Sequence, residues 1–484
     1  MISNITKITL SRQFSKVCLC LAVLVSFATF AQAQNGSASG QYIVEFRGNG
    51  LPKNLSSRIA ALGGTVIDQM PEMNVAIVSN ISAGSAQVLA SQSDVSDVTL
   101  DEFVSANRVQ NRKAFDFSPG AGPLVSLPEA ALFYPYQWDK RVIGADRAWQ
   151  AGYLGSSDVR VAIIDSGIDP TNPDLAGLID YSRSTSFCNA EDALVQQKFP
   201  GYPAWTDVYG HGTGVASVVS SNGTFIAGVT SRTSIMALKA LPLLPCRSSA
   251  ILSAIYYAAN HGADVINLSL GAPFPFPKAG QQGFFHYYHL YVQYALRKGV
   301  SAVVVSAGNS AIDLDHDQNG NLFFCETPGV ICVSATGPPD GGPQNLGPFL
   351  NIDTPSFYTN FGSSAINVAA PGGNAVIDPT GTFLLSASWI WEACSRKTLT
   401  FDGLGNIVPI DYCGPYPVWG TIGTSESSPQ VAGLAALLVS KFGHGKSAQV
   451  KAAIENSADD LGKPGADPFF GKGRINVAHA LGLP

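Results

Sequence analysis

The rhythm of apolar and polar positions divides the chain into two stretches. Between residues 41 and 105 short patterns alternate: 42–46 (Tyr-Ile-Val-Glu-Phe) reads as a strand, 55–62 has helical spacing and stops at Gly63-Gly64, and 65–70 with 73–79 read as paired strands. A helical pattern at 85–92 and an apolar run at 95–100 complete the order βαββαβ, a split-βαβ, ferredoxin-like α+β unit. Residues 106–136 carry Asn107-Arg108 and Ser118-Pro119-Gly120 with little periodicity, and read as an exposed linker.

From 137 to 484 apolar runs alternate with helical patterns, which predicts an α/β fold: a mostly parallel sheet flanked by helices. The runs 159–164, 265–268, 302–306, 330–335 and 366–369 are short, rich in Val and Ile, and bounded by Gly, Asn or Asp, as strands covered on both faces must be. In such sheets chemistry gathers at the carboxyl ends of the strands.

Three motifs fall at such places. Asp165-Ser166-Gly167 follows a buried run, where an ionised carboxylate needs a fixed partner to offset its desolvation. Gly210-His211-Gly212-Thr213-Gly214 opens a helical pattern, and its small residues let a neighbouring chain approach the imidazole. Gly423-Thr424-Ser425-Glu426-Ser427-Ser428-Pro429 precedes an apolar helical run at 431–439; Pro429 suits a first helical turn, which puts Ser425 just before a helix amino terminus that favours developing negative charge. Taken singly, each has a plain structural reading as a turn, a core histidine or an N-cap.

Composition narrows the class. Lys plus Arg is 29 against 35 Asp plus Glu, and a charged share of 13% lies well under the usual 25% or so, so nucleic acid is not the expected partner. Residues 1–33 read as a secretory signal: Lys7, Arg12 and Lys16 form a basic leader, 17–31 is apolar, and Ala31-Gln32-Ala33 fits the cleavage pattern. A membrane span needs about 20 apolar residues, and this run is shorter and broken by Ser26 and Thr29. A secreted, monomeric protein free of the membrane after cleavage is expected. Cys188, Cys246, Cys325, Cys332, Cys394 and Cys413 remain in it, an even number that suggests disulfides; sequence leaves the pairing open, with sequential pairing as the guess.

Together the three motifs make the chain resemble a subtilisin-family (subtilase, peptidase S8) serine protease, in the order Asp165, His211, Ser425 that this family uses. The similarity runs from Gln137-Trp138 through Gly471-Lys472-Gly473-Arg474-Ile475-Asn476, and residues 41–105 resemble the family's inhibitor (I9-like) propeptide. The resemblance implies a propeptide-inhibited zymogen whose own propeptide is an intramolecular inhibitor, and a serine endopeptidase acting on polypeptides. In it Ser425 is the nucleophile, His211 the general base and Asp165 the residue that holds the imidazole tautomer. Ser306-Ala307-Gly308-Asn309 resembles the oxyanion segment, with Asn309 and the Ser425 N–H as donors, and Ser269, Leu270 and Gly271 match the substrate strand. No cofactor is required for this chemistry. The other class in view is a catalytically silent relative that uses the cleft for binding; an α/β-hydrolase is disfavoured because Ser427 stands where its nucleophile elbow needs Gly.

Two departures carry expectations of their own. Glu426 follows the nucleophile where many relatives have an uncharged residue, and its carboxylate is expected to raise the His211 pKa. The stretch 386–419, with Cys394 and Cys413, reads as an insertion that either shapes the cleft or, as the favoured expectation, is a surface loop stapled by one disulfide. Asp315, Asp317, Asn319, Gly320 and Glu326 satisfy the EF-hand spacing without its flanking helices. Structural calcium there is one expectation and an acidic solvated turn the other, and these positions match no calcium site of the family. His261, His286 and His289 have no comparable setting, and the aromatic-rich 283–297 is expected as a helix packing its rings.

Overall fold

The computed structural model describes residues 39–104, 112–114, 128–270, 278–317, 324–378 and 381–484. The predicted signal and most of the linker lie outside them. The first stretch has the predicted order: β1 (Ser39–Phe46), α1 (Leu55–Ala61), β2 (Thr65–Met70), β3 (Val75–Ser82), α2 (Ala83–Ala90) and β4 (Val95–Leu100). Its sheet is antiparallel in the order β2-β3-β1-β4. Ser82 starts α2 by accepting a hydrogen bond from the Ser85 N–H at 3.0 Å.

Strand alternation sends the two faces of this small sheet to two different cores. Val44, Phe46, Ala76 and Val78 pack with Ile59 and Leu89 of the unit's own helices. Ile43, Val75 and Ile77 join Met70 and Met73 in the larger core beneath the helices Ser249–Asn260 and Lys278–Arg297. The aromatic stretch is therefore a helix, as expected. Tyr287 Oη donates to Asp97 at 2.8 Å, and His286 Nε2 lies 3.1 Å from a Glu45 carboxylate oxygen. Asp101, just past β4, accepts from Ser248 Oγ at 2.8 Å and Ser249 N at 2.9 Å, so a carboxylate of the first unit caps the amino terminus of a helix of the second.

The second unit is built on a sheet of seven strands in the order Val368–Pro371, Ile331–Thr336, Ala302–Ser306, Val265–Leu268, Arg160–Asp165, Ser234–Lys239 and Thr185–Ser186, every neighbouring pair parallel. Five of these strands overlap the predicted runs. The pair Ser234–Lys239 and Thr185–Ser186 goes unpredicted, because Ser-Ile-Met-Ala-Leu-Lys lacks a β-branched run and two residues carry no period at all. The helices His211–Val219, Thr424–Phe442 and Ser447–Asn456 cover one face. Among the described residues no helix is long and apolar enough to cross a membrane.

The six cysteines pair sequentially, Cys188–Cys246, Cys325–Cys332 and Cys394–Cys413. The third bond staples the insertion as expected, but the insertion is no mere surface loop. Its strand Ile390–Ala393 is buried, pairs with Val418–Thr421, and docks on the helix His211–Val219, with Ala393 N donating to Ser217 Oγ at 2.9 Å. Trp391 and Trp419 need that burial, and the pleat places them where only the protein interior can take an indole. On the other edge of Val418–Thr421 lies the short strand Arg112–Ala114.

Candidate active site

Asp165 is the last residue of the central strand Arg160–Asp165 and is fully buried. Its Oδ1 accepts from Ser166 N at 2.7 Å and lies 2.8 Å from His211 Nδ1. The approach depends on glycine. A Cβ on Gly212 would lie 2.2 Å from the Gly167 carbonyl oxygen, and one on Gly167, whose φ is +101°, would lie 2.3 Å from that of Trp205. The small residues of the two motifs are thus the condition for the acid and the imidazole to meet.

Asp207, which sequence reading passes over, shapes the turn that presents His211. Its Oδ1 accepts from Ser166 Oγ (2.8 Å), Tyr209 N (3.0 Å) and Gly210 N (2.7 Å), and its Oδ2 from Thr213 N (2.9 Å) and Thr213 Oγ1 (2.6 Å). Burial raises its pKa against the pull of these donors. The one sequence signal was an acid a few residues before a helix start, which is too common to single out.

Ser425 lies inside the first turn of the helix Thr424–Phe442, one step further in than expected, and Pro429 is an interior residue of that helix. Proline has no N–H for the carbonyl four residues earlier, which is that of Ser425. Ser269 Oγ supplies the missing donor at 2.8 Å. In return the Ser425 hydroxyl donates to the Ser269 carbonyl at 3.3 Å, and Ser269 Oγ also meets Ser428 Oγ at 2.9 Å. Ser269 thereby ties the predicted substrate strand to the serine helix; Leu270 beside it is buried in the core, and Gly271 lies outside the described residues.

Asn309 is held against the same helix. Its Oδ1 accepts from Thr424 N at 2.9 Å and Thr424 Oγ1 at 2.8 Å, while Gly308 N donates to Thr424 Oγ1 at 3.0 Å. These bonds assign the amide orientation and leave the Nδ2 hydrogens as the donors on the serine side. A Cβ on Gly423 would come within 3.3 Å of Asn309 Nδ2, so glycine keeps that face open.

Two buried glutamates complete the setting. Glu426 accepts from Thr421 Oγ1 at 3.3 Å, and Glu392, from the inserted strand, accepts from Trp419 Nε1 at 2.9 Å. A Cβ on Gly214 of the histidine helix would collide with Glu392 Oε1 at 2.1 Å, which shows how closely that carboxyl lies against the helix. Burial pushes Glu426 up to about 7, and burial together with the Glu426 charge raises Glu392 well above the ordinary range. At His211 burial works downward, but the Asp165 carboxylate, with Glu426 and Glu392 behind it, overcomes this and raises the pKa to about 9. The direction expected for Glu426 is therefore present, and Glu392 adds a contribution that sequence reading missed.

In the acidic loop the described part of the EF-hand spacing shows what Asp315 holds. Asp315 accepts from Ser363 N at 2.6 Å, Ser364 N at 3.1 Å and Ser364 Oγ at 2.5 Å, so its carboxylate ties two loops together. Asn319 and Gly320 lie outside the described residues, Glu326 sits in the short turn Phe324–Glu326, and among the described residues no three His, Cys, Asp or Glu are grouped to hold a metal ion. The carboxylate of Asp315 is thus engaged within the protein, and calcium at this loop stays an expectation because Asn319 and Gly320 are not among the described residues.

The chain is similar to known proteins of one family. Residues 156–473 match the family described as Peptidase_S8, the subtilase family. Thermitase from Thermoactinomyces vulgaris is 30% identical over 359 residues, covering 73% of this chain and 99% of that protein. A crystal structure of a lanthipeptide protease is similar with a TM-score of 0.55 at 26% identity, over 72% of this chain and 94% of that one. The epidermin leader peptide processing serine protease from Staphylococcus aureus superposes with a TM-score of 0.66 over 92% of this chain and 99% of its own, and at 21% identity it shows the fold alone.

Proposed function

The chain belongs to the subtilase family of serine endopeptidases, and from that premise we propose that it hydrolyses polypeptides through Ser425, His211 and Asp165, as an exported precursor restrained by its own residues 41–105. The single observation that carries the reading is the 2.8 Å Asp165–His211 contact, made at the carboxyl end of a central strand, with the charge of Glu426 beside Ser425 acting on the same imidazole.

In the reaction His211 Nε2 takes the Ser425 proton as the serine oxygen bonds to the scissile carbonyl carbon. The hydroxyl gives up the Ser269 carbonyl to do so. Asp165 holds Nδ1 protonated and stabilises the imidazolium. The carbonyl oxygen becomes an anion facing the Ser425 N–H and Asn309 Nδ2, donors set in place beforehand, so no reorganisation is required as charge develops. The C–N bond breaks as imidazolium returns the proton to the leaving amine, and water repeats the sequence on the acyl-enzyme.

The propeptide reading is supported by the contact between the first unit and the helices Ser249–Asn260 and Lys278–Arg297. A large parallel sheet is rich in long-range pairings and folds slowly, so a unit that docks on two of its helices can organise them. Treatment with a serine-directed phosphonate followed by peptide mapping tests the chemistry: labelling of Ser425, absent in Ser425→Ala and in His211→Ala, is the expected result. An unlabelled wild-type protein would mean a binding relative without catalysis.

A further inference from the structure

Arg112 is the first residue of a strand of three that pairs with Val418–Thr421, the strand that leads into the serine helix. The register is antiparallel, with Arg112 opposite Thr421, Lys113 opposite Gly420 and Ala114 opposite Trp419. Thr421 leads through Ile422 and Gly423 into the serine helix, and Arg112 also donates to the carbonyl of Tyr209, whose ring centroid lies 6.4 Å from that of His211, so the Arg112 end faces the catalytic residues and the segment runs away from them toward its carboxyl end. A substrate chain lies in that direction beyond the attacked carbonyl, on the leaving-group side.

The side chain of Arg112 is held by a built site. Its guanidinium carbon lies 4.1 Å from the ring centroid of Trp419, 5.0 Å from Tyr209 and 5.9 Å from Tyr412, and Nη1 donates to the Tyr209 carbonyl at 3.1 Å. At the indole's N–H edge Glu392 accepts from Trp419 Nε1 at 2.9 Å; Glu392 and Glu426 are each 2% exposed, and Glu392 Oε2 and Glu426 Oε2 have no hydrogen-bond partner among the described residues. The positive charge of Arg112 favours the ionised form of both carboxyls. A planar cation over an indole whose N–H is held by a buried acid, with one of its own N–H groups fixed by a carbonyl, is a recognition geometry suited to arginine more than to lysine.

We infer that this cage is a specificity pocket for an arginine side chain on the leaving-group side of the cleft, filled in the precursor by Arg112 and in turnover by an arginine of an extended substrate. The substrate would add itself to the edge of Val418–Thr421 as Arg112–Ala114 does, taking main-chain hydrogen bonds from the ladder and selectivity from the cage. The inference rests on the protease reading above and assigns that site a substrate class.

Two measurements test it. Internally quenched peptides that differ only in carrying arginine, lysine, citrulline or alanine at each of the first positions after the scissile bond are cleaved by the active enzyme. At one of those positions arginine is expected to raise kcat/KM on the order of tenfold over alanine and citrulline, with lysine between. In Tyr412→Ala, which removes one ring of the cage, the ratio of arginine to alanine rates is expected to fall several-fold; the ratio is internal to each variant and is not moved by a general loss of activity. In the full-length precursor, Arg112→Ala is expected to slow self-processing, read by amino-terminal sequencing over time. Equal rates for arginine and alanine at every position, with a chromogenic ester still hydrolysed, would overturn the pocket and leave the protease standing. Failure of ester hydrolysis together with absent phosphonate labelling would overturn the protease reading and the pocket with it.

Discussion

Asp207 and the pair Glu392 and Glu426 are buried acids around the His211 motif, and they are treated in opposite ways. Asp207 is saturated: five donors from Ser166, Tyr209, Gly210 and Thr213 converge on its two oxygens. The glutamates keep an oxygen each without a partner among the described residues. A saturated carboxylate is an architectural element, since every donor it holds would otherwise be a buried unsatisfied group. An undersatisfied pair retains free electrostatic influence, and its target is the imidazole of His211.

The comparison breaks most sharply at Asp207. In a Ser425→Ala background, which prevents self-digestion, Asp207→Ala is expected to lose at least ~3 kcal/mol, because several buried N–H groups are orphaned at once. Thermal unfolding measures it, and a loss under 1 kcal/mol or so would remove the architectural role. At the serine helix, Asn309→Ala is expected to lower kcat by about 10²–10³ with little change in KM, as a donor used only in the transition state should. A change confined to KM would assign Asn309 to ground-state binding.

The glutamates are tested by pH. His211 must be neutral to act as base, so a pKa raised to about 9 places the acidic limb of kcat/KM at alkaline pH. Glu426 is ionised there, having a pKa of about 7. Removing its charge in Glu426→Gln withdraws an anion that favours imidazolium, so the limb is expected to move to lower pH by about one unit. Glu392→Gln is expected to move it in the same direction. A limb that stays put in both variants would reduce the pair to structural acids like Asp207.

The smallest effect belongs to the acidic loop. Because Asp315 already binds the Ser363 and Ser364 segment, calorimetric titration with calcium is expected to give the same heats for wild type and Asp315→Ala, with stability lower by ~1 kcal/mol in the variant. Calcium heat lost with the carboxylate would establish the EF-hand spacing as a metal site.

Much of this molecule was legible along the chain. The order βαββαβ and five of the seven parallel strands follow from local constraints, apolar period and turn chemistry, while Asp165, His211, Asn309 and Ser425 stood out only through the resemblance of their motifs, taken together, to one family. Those constraints act between residues a few positions apart, so they leave a pattern in sequence. What the tertiary structure alone decided is long-range. Glu392 reaches the histidine helix through an inserted strand, Ser269 replaces the donor that Pro429 lacks, and Arg112 enters its cage by antiparallel pairing with Thr421. None of these has a period or a spacing to betray it, because each is set by which surfaces meet after the sheet has formed, and the buried charges that meet there cannot be read until their partners, or lack of them, are known.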